Sequence, residues 1–254
     1  MPSSRVSVYD SLGSDYERAF GVFLAHTDQK DKAREWLDRA VERLPMRRQM
    51  VDAGAGTGKV TAWFAPLFKQ TIAIEPNSHL RTHLAANCPE AEIVPCTILD
   101  CALDPVADFV LASHIFYYIP AGDWQANLER LASFLAPGGL LVVILQNAGT
   151  DCMRLVNHFH GRRFDLASLA RNFQSQHDGR YDCRLDTVES HVTTGDRESA
   201  YTVAEFMLNL LPIEAPPLRS ALEEYVGREF AASSGGYRFS CSQDFLVIRR
   251  TRSG

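Results

Sequence analysis

Val51-Asp52-Ala53-Gly54-Ala55-Gly56-Thr57-Gly58 is the stretch on which the reading of this 254-residue chain turns. The lead-in Gln49-Met50-Val51 reads as a short buried strand, and residues 60–68 resume an apolar helical period. Between them the glycines recur at every second position, and a backbone without Cβ atoms can turn tightly and come close to a ligand there. The same texture continues outward. Thr71-Ile72-Ala73-Ile74-Glu75 is a second strand, residues 78–87 a helix, Glu92-Ile93-Val94 a third strand and residues 108–113 a fourth. Residues 124–135 form an amphipathic helix, and residues 140–145 a fifth strand after the turn Pro137-Gly138-Gly139. This alternation predicts an α/β domain, and the unbroken apolar runs are those of parallel strands covered on both faces.

Ahead of the loop, Tyr16, Phe20, Phe23 and Leu24, then Trp36, Leu37, Ala40, Val41 and Leu44 before Pro45, predict two amphipathic helices. The junction His26-Thr27-Asp28-Gln29-Lys30 is polar, and its periodicity favours a solvated turn over one facing a pocket. After the fifth strand the alternation fades. Helical stretches at 166–173, 203–211 and 218–230, interrupted by Pro212 and Pro216-Pro217, read as an insertion beside the sheet. Strand character returns at 237–241 and 245–248, linked by Ser242-Gln243-Asp244, which predicts a closing antiparallel hairpin.

Composition narrows the work of the domain. With 46% hydrophobic residues the chain can bury a full core. A net charge of −5 gives no electrostatic footprint for a nucleic-acid backbone or an anionic membrane, so a small-molecule substrate is expected. No run approaches the roughly 20 apolar residues of a membrane span, and Met1-Pro2-Ser3-Ser4-Arg5-Val6 lacks an apolar leader core. We therefore expect a cytoplasmic protein, monomer or homodimer. The six cysteines form no Cys-x-x-Cys pair and hence neither a zinc pattern nor a disulfide framework. His158-Phe159-His160 has a two-ligand spacing for a strand but no third ligand, so no metal is expected.

Other glycine loops fit less well. A Walker loop needs glycine at position 53 and Ser or Thr at position 60, where Ala53 and Val60 stand. A dinucleotide fingerprint read from Gly54 needs a third glycine at position 59, which is Lys59. The remaining polar groups point to one nucleotide-like site. Glu75 ends the second strand, where a carboxylate accepts both ribose hydroxyls, and Pro76 then breaks the strand. Asp52 can accept from a ligand ammonium, Thr97 and Ile98 can meet a base, and Ser113 and His114 end the fourth strand at the crevice where open α/β sheets bind ligands.

In order and content these segments resemble the class I methyltransferase family, with residues 51–58 as its first motif, Glu75 as its ribose acid, residues 108–114 as its fourth-strand motif and residues 135–145 as its Leu-x-Pro-Gly-Gly motif. The resemblance implies a Rossmann-like fold with a seven-stranded, mostly parallel sheet and a C-terminal antiparallel hairpin. It implies a helical N-terminal lid (1–47), a core (48–147), a substrate-binding insertion (148–236) and a closing hairpin (237–254). The implied cofactor is S-adenosyl-L-methionine, with S-adenosyl-L-homocysteine as product. Asp52, Gly54, Gly56, Glu75, Pro76, Thr97, Ile98, Ser113 and Tyr118 would bind it.

The whole chain is further similar to the histamine N-methyltransferase family. The matching stretches are 16–27, His114-Ile115-Phe116-Tyr117-Tyr118, residues 205–219 and Phe245-Leu246-Val247-Ile248. That family grips its imidazole with a glutamate, a glutamine and an asparagine, whereas the matching positions here are Gln29, His114 and Cys241, or Asp28 for the carboxylate if the match slips by one. The resemblance thus implies methyl transfer to N or O of a small, partly aromatic molecule other than histamine. Phe20, Gln29, His114, Tyr117, Tyr118 and Cys241 would line its site.

His114 is the candidate general base, because an unperturbed imidazole with pKa about 6.5 can be neutral at pH 7; the alternative is a histidine held by backbone. Tyr117 and Tyr118 offer an aromatic wall or core packing, and Trp124 could extend the wall. Arg154, His158, His160, Arg162 and Arg163 could instead hold a carboxylate or phosphonate substrate, or form a solvated basic face. An NAD-dependent oxidoreductase and a non-catalytic binding protein are the readings from other classes.

Overall fold

The computed structural model describes residues 4–10, 13–104, 106–177 and 179–252. Met1, Pro2 and Ser3 of the leader reading and the last two residues of the predicted terminal segment lie outside them. In chain order the elements are α1 (Ser14–His26), α2 (Gln29–Glu42), β1 (Gln49–Ala53), α3 (Thr61–Phe64), β2 (Gln70–Ile74), α4 (Ser78–Asn87), β3 (Glu92–Val94), β4 (Ala107–Ser113), α5 (Trp124–Ser133) and β5 (Leu135–Gln146). There follow α6 (Asp151–His160), α7 (Leu166–Gln176), β6 (Tyr181–Val188), β7 (His191–Thr194), α8 (Arg197–Leu208), α9 (Arg219–Glu229), β8 (Tyr237–Ser240) and β9 (Gln243–Arg250). None of the described helices is long and apolar enough to cross a membrane.

The chain divides into two compact units. The first gathers the residues up to Trp36, Gln146–Asp165 and Thr187–Gln243; the second gathers Leu37–Leu145, Leu166–Asp186 and the residues from Asp244 onward. The second unit is built on a seven-stranded sheet in the order β3-β2-β1-β4-β5-β9-β6. From β3 to β5 every neighbouring pair is parallel, with Val51 of β1 opposite Ile72 on one side and Val110 on the other. Because the chain moves outward one way through β1, β2 and β3 and the other way through β4 and β5, the direction switches between β1 and β4. Crevices form at the carboxyl ends of strands flanking such a switch.

Local chemistry explains where elements are shorter than their pattern. The helix expected over 60–68 is α-helical only through Phe64 and tightens to a 3-10 turn over Ala65–Leu67, since Pro66 cannot donate to the helix ladder. Phe64 and Phe68 still pack on Phe109 of β4, ring centroids 6.3 and 6.0 Å away. The turn expected at Pro137-Gly138-Gly139 lies inside β5 as a bulge: Ala107 faces Leu135, yet Phe109 faces Leu140. A Cβ on Gly139 would stand 2.6 Å from the Ala107 carbonyl oxygen.

The predicted terminal hairpin is replaced by a different pairing. β8 pairs antiparallel with β7 in a separate two-stranded sheet, while β9 enters the seven-stranded sheet between β5 and the edge strand β6. In the first unit Asp151 fastens β8: its carboxylate accepts from the Ser240 N–H and hydroxyl, both at 2.7 Å, and its own N–H donates to Ser240 Oγ at 2.9 Å. The stretch read as an insertion therefore contributes α7 and most of β6 to the sheet unit, and α6, β7, α8 and α9 to the other.

Candidate active site

At the carboxyl end of β1 the glycine loop is left-handed at Gly54, Gly56 and Gly58, with φ of 69°, 58° and 81°. The reasons for glycine differ along it. A Cβ on Gly54 would lie 2.2 Å from Ile115 Cγ2, and one on Gly58 would lie 2.7 Å from Leu84 Cδ1 of α4, so these two positions are filled by the protein itself. Gly56 alone of the three has nothing within 4 Å of that direction. The backbone there is open to a ligand.

Glu75, just beyond β2, holds this loop in place. It is 5% exposed; Oε2 accepts from the Gly56 N–H at 2.9 Å and Oε1 from the Asn77 N–H at 2.8 Å. Each carboxylate oxygen has two lone pairs, so both can accept again from a diol. Pro76 is exposed, its carbonyl taken by Arg81, and Asn77 caps α4 by accepting from the N–H groups of His79 and Leu80.

Asp52 is buried and accepts from the Thr61 hydroxyl at 2.6 Å. Burial pushes its carboxyl up to about 6, against the hydrogen bond from Thr61 and with the help of nearby Glu75. A buried carboxylate of this kind is stabilised by a cation, which suits an ammonium-bearing ligand. Past β3, Ile98 is buried, while Thr97 is exposed and donates to Asp100 Oδ2 at 2.6 Å.

Ser113 ends β4 half-buried, in register with Ile144. His114 follows at φ 60°, the one non-glycine residue with positive φ among the described residues. Its N–H donates to the Ile144 carbonyl at 2.9 Å, and its ring stacks on Tyr117 at 5.9 Å and 21°. A histidine in this region costs on the order of 1–3 kcal/mol, and such strain gathers at functional sites. Tyr117 is buried and Tyr118, at 65% exposure, is not. Trp124, expected as part of an aromatic wall, packs edge-on against Phe116 and donates to the Ile119 carbonyl.

The first unit brings together two other predicted residues. Gln29 is the first residue of α2 and is buried, with Nε2 donating to the Cys241 carbonyl at 2.6 Å. The Cys241 thiol, pushed up by burial, lies 3.3 Å from Thr27 Oγ1 and 3.5 Å from Ser190 Oγ. The expected solvated turn is thus largely built inward at this point, and burial pushes the neighbouring Lys30 ammonium down to about 8. Phe20 joins an aromatic cluster with Tyr16, Phe23 and Phe206.

The basic segment is mostly committed elsewhere. His158 and His160 lie on α6, not on a strand: His158 packs on Tyr225, and His160 contacts the Leu208 carbonyl at 3.0 Å. Arg154 pairs with Asp151, and Arg162 lines a cleft of about 200 Å³ with Glu214 and Phe159. Ile115, Thr61 and Asn77 escaped the sequence reading. A hydroxyl nine residues after Asp52 and an N-cap after Pro76 were available signals for the last two.

A family described as a methyltransferase domain matches residues 24–179. An uncharacterized methyltransferase of Alkaliphilus oremlandii (strain OhILAs) is 23% identical over 139 residues, which span 54% of this chain and 64% of that relative, so the chain matches less than two thirds of its length. The YcgJ protein of Bacillus subtilis superposes with a TM-score of 0.62 at 12% identity, over 86% of this chain and 98% of that one. The N-methyltransferase NodS of Bradyrhizobium japonicum WM9, in complex with S-adenosyl-L-homocysteine, gives 0.54 at 13% identity, over 95% and 100%. At these identities the structural likeness is one of fold. With the family match covering more than half its length, the chain belongs to the methyltransferase-domain family.

Proposed function

We propose that the protein transfers a methyl group from S-adenosylmethionine to nitrogen or oxygen of a small, partly aromatic molecule. The observation that carries the proposal is the Gly56–Glu75 arrangement: an open left-handed glycine beside a buried carboxylate that fixes the loop and retains acceptor capacity. The residues fit the donor. Glu75 would take the ribose hydroxyls, Asp52 the ammonium, Thr97 and Ile98 the adenine edge and face, and Ser113 and Tyr118 the rim. When bound, S-adenosylmethionine supplies an electrophilic methyl on a sulfonium. The chain's part is to hold the acceptor in line, exclude water and take a proton where the nucleophile carries one. His114, fixed by its backbone bond to Ile144 and stacked on Tyr117, is the group we assign to that proton.

The pattern similar to histamine N-methyltransferases supports the small-acceptor reading, and its departures argue for another substrate. The Gln29 amide donates to the Cys241 carbonyl, and the alternative carboxylate, Asp28, is exposed, pairs with Lys32 and accepts from the His191 N–H. A site lacking the hydrogen bonds that a ligand requires leaves that ligand's polar groups unpaired and selects against it.

Calorimetric titration with S-adenosylmethionine tests the proposal. Saturable binding is expected, weakened at least tenfold in Glu75→Gln with an unchanged circular dichroism spectrum. Absence of binding by folded wild-type protein would refute it, and a parallel nicotinamide-fluorescence titration separates it from an oxidoreductase.

A further inference from the structure

Between β4 and the 3-10 turn Phe116–Tyr118, one apolar side chain joins the two parts of the site that differ most in chemistry. Ile115 Cγ2 occupies the space above Gly54 Cα where any other residue would carry Cβ: the built Cβ falls 2.2 Å from Cγ2, 3.1 Å from Ile115 Cβ and 3.5 Å from Cδ1. Gly54 is itself tied to β2, its N–H donating to the Ile74 carbonyl at 2.8 Å. On the other side Ile115 follows the left-handed His114, and its carbonyl accepts from the Tyr118 N–H at 3.0 Å, starting the turn that carries Tyr117. Packed interiors transmit such displacements because they have no slack to absorb them.

We infer that Ile115 is a positioning residue: its wedge on Gly54 couples the glycine loop to the strained backbone at His114, so that a ligand seated in the loop alters the setting of the imidazole. The inference rests on the loop being the donor site, and it adds a residue that acts on the reaction without touching either reactant. Without the wedge the loop keeps its glycines and its carboxylate, but His114 no longer senses it.

The test uses the full-length protein with histidine side chains isotopically labelled and S-adenosyl-L-homocysteine as probe; His114→Gln assigns the resonance. In wild type the probe should shift the His114 imidazole resonance. In Ile115→Ala it should bind within about threefold of wild-type affinity while the shift falls below a third of its size, and Ile115→Val, which retains a γ-methyl, should restore it. A full-sized shift in Ile115→Ala, or none in a wild type that binds the probe, overturns the inference. A wild type that binds no probe overturns the donor-site reading instead. A comparison that avoids removing core volume is Gly54→Ala against Gly56→Ala without ligand. Both carry the strain of positive φ, but only the first meets Ile115, so only the first should displace the His114 resonance. Equal effects would count against the wedge.

Discussion

Replacing Asp52 with asparagine should stabilise the ligand-free protein and weaken its grip on the methyl donor, two effects of opposite sign from one atom. Burial lifts the Asp52 carboxyl from the ordinary 3.8 to about 6, so between these values the folded chain holds a proton that the unfolded chain has released. Stability therefore falls as pH rises through that window and is lowest above it. At about 1.36 kcal/mol per unit, the ionised group costs the folded state on the order of 3 kcal/mol at pH 7. Asparagine can still accept from Thr61 and has no charge to desolvate. For a chain of this size 1 kcal/mol moves Tm by about 2–4 °C, so Asp52→Asn should melt roughly 6–12 °C higher at pH 7.5, with the gap closing toward pH 4. Melting curves followed by circular dichroism from pH 4 to 8, with and without S-adenosylmethionine, provide the assay. Parallel pH profiles for the two proteins would refute the reasoning, as would equal stabilisation of both by the ligand.

Two further substitutions separate ligand from scaffold. Gly56→Arg should abolish donor binding by calorimetry while circular dichroism still reports a folded protein, because the space it enters is empty of protein; undiminished affinity would show the loop is misassigned. His114→Gly should leave Tm unchanged or raise it by a few degrees, since relief of about 1–2 kcal/mol of left-handed strain offsets glycine's extra chain entropy of about 0.5–1 kcal/mol. A loss of more than about 2 kcal/mol would instead mark the imidazole as a structural strut.

The α/β class was legible because parallel strands announce themselves: residues 109–112 and 140–145 are apolar at every position, as expected of strands covered on both faces. The loop and Glu75 were legible for a similar reason, since spacing and strand ends define them locally. What escaped depends on partners far away in sequence. β6 alternates exposed, polar and apolar residues and becomes a strand only as the edge neighbour of β9. Residues 237–240 and 243–250 read as a hairpin because they are adjacent, but β8 is claimed by β7 and by Asp151, 89 residues upstream. His158-Phe159-His160 fits a strand period equally well until the Thr150 hydroxyl, accepting from the Met153 N–H, starts a helix there. Gln29 looks like a solvent residue, yet it is buried and its amide donates to the carbonyl of Cys241, 212 residues away. The spacing marks Gly54 as a position that must be glycine, but not that an isoleucine fills the space where its Cβ would stand.

The double engagement of Glu75 has a consequence for kinetics. Because its carboxylate already satisfies the Gly56 and Asn77 amides, the loop has surrendered its conformational freedom during folding and has little left to lose when a ligand arrives. Association then resembles insertion into a finished mould, with a modest entropy change and a rate set by diffusion and orientation rather than by loop ordering. If the loop is the donor site proposed above, departure would leave the mould standing, and spent and fresh donor would exchange without the loop coming apart between turnovers.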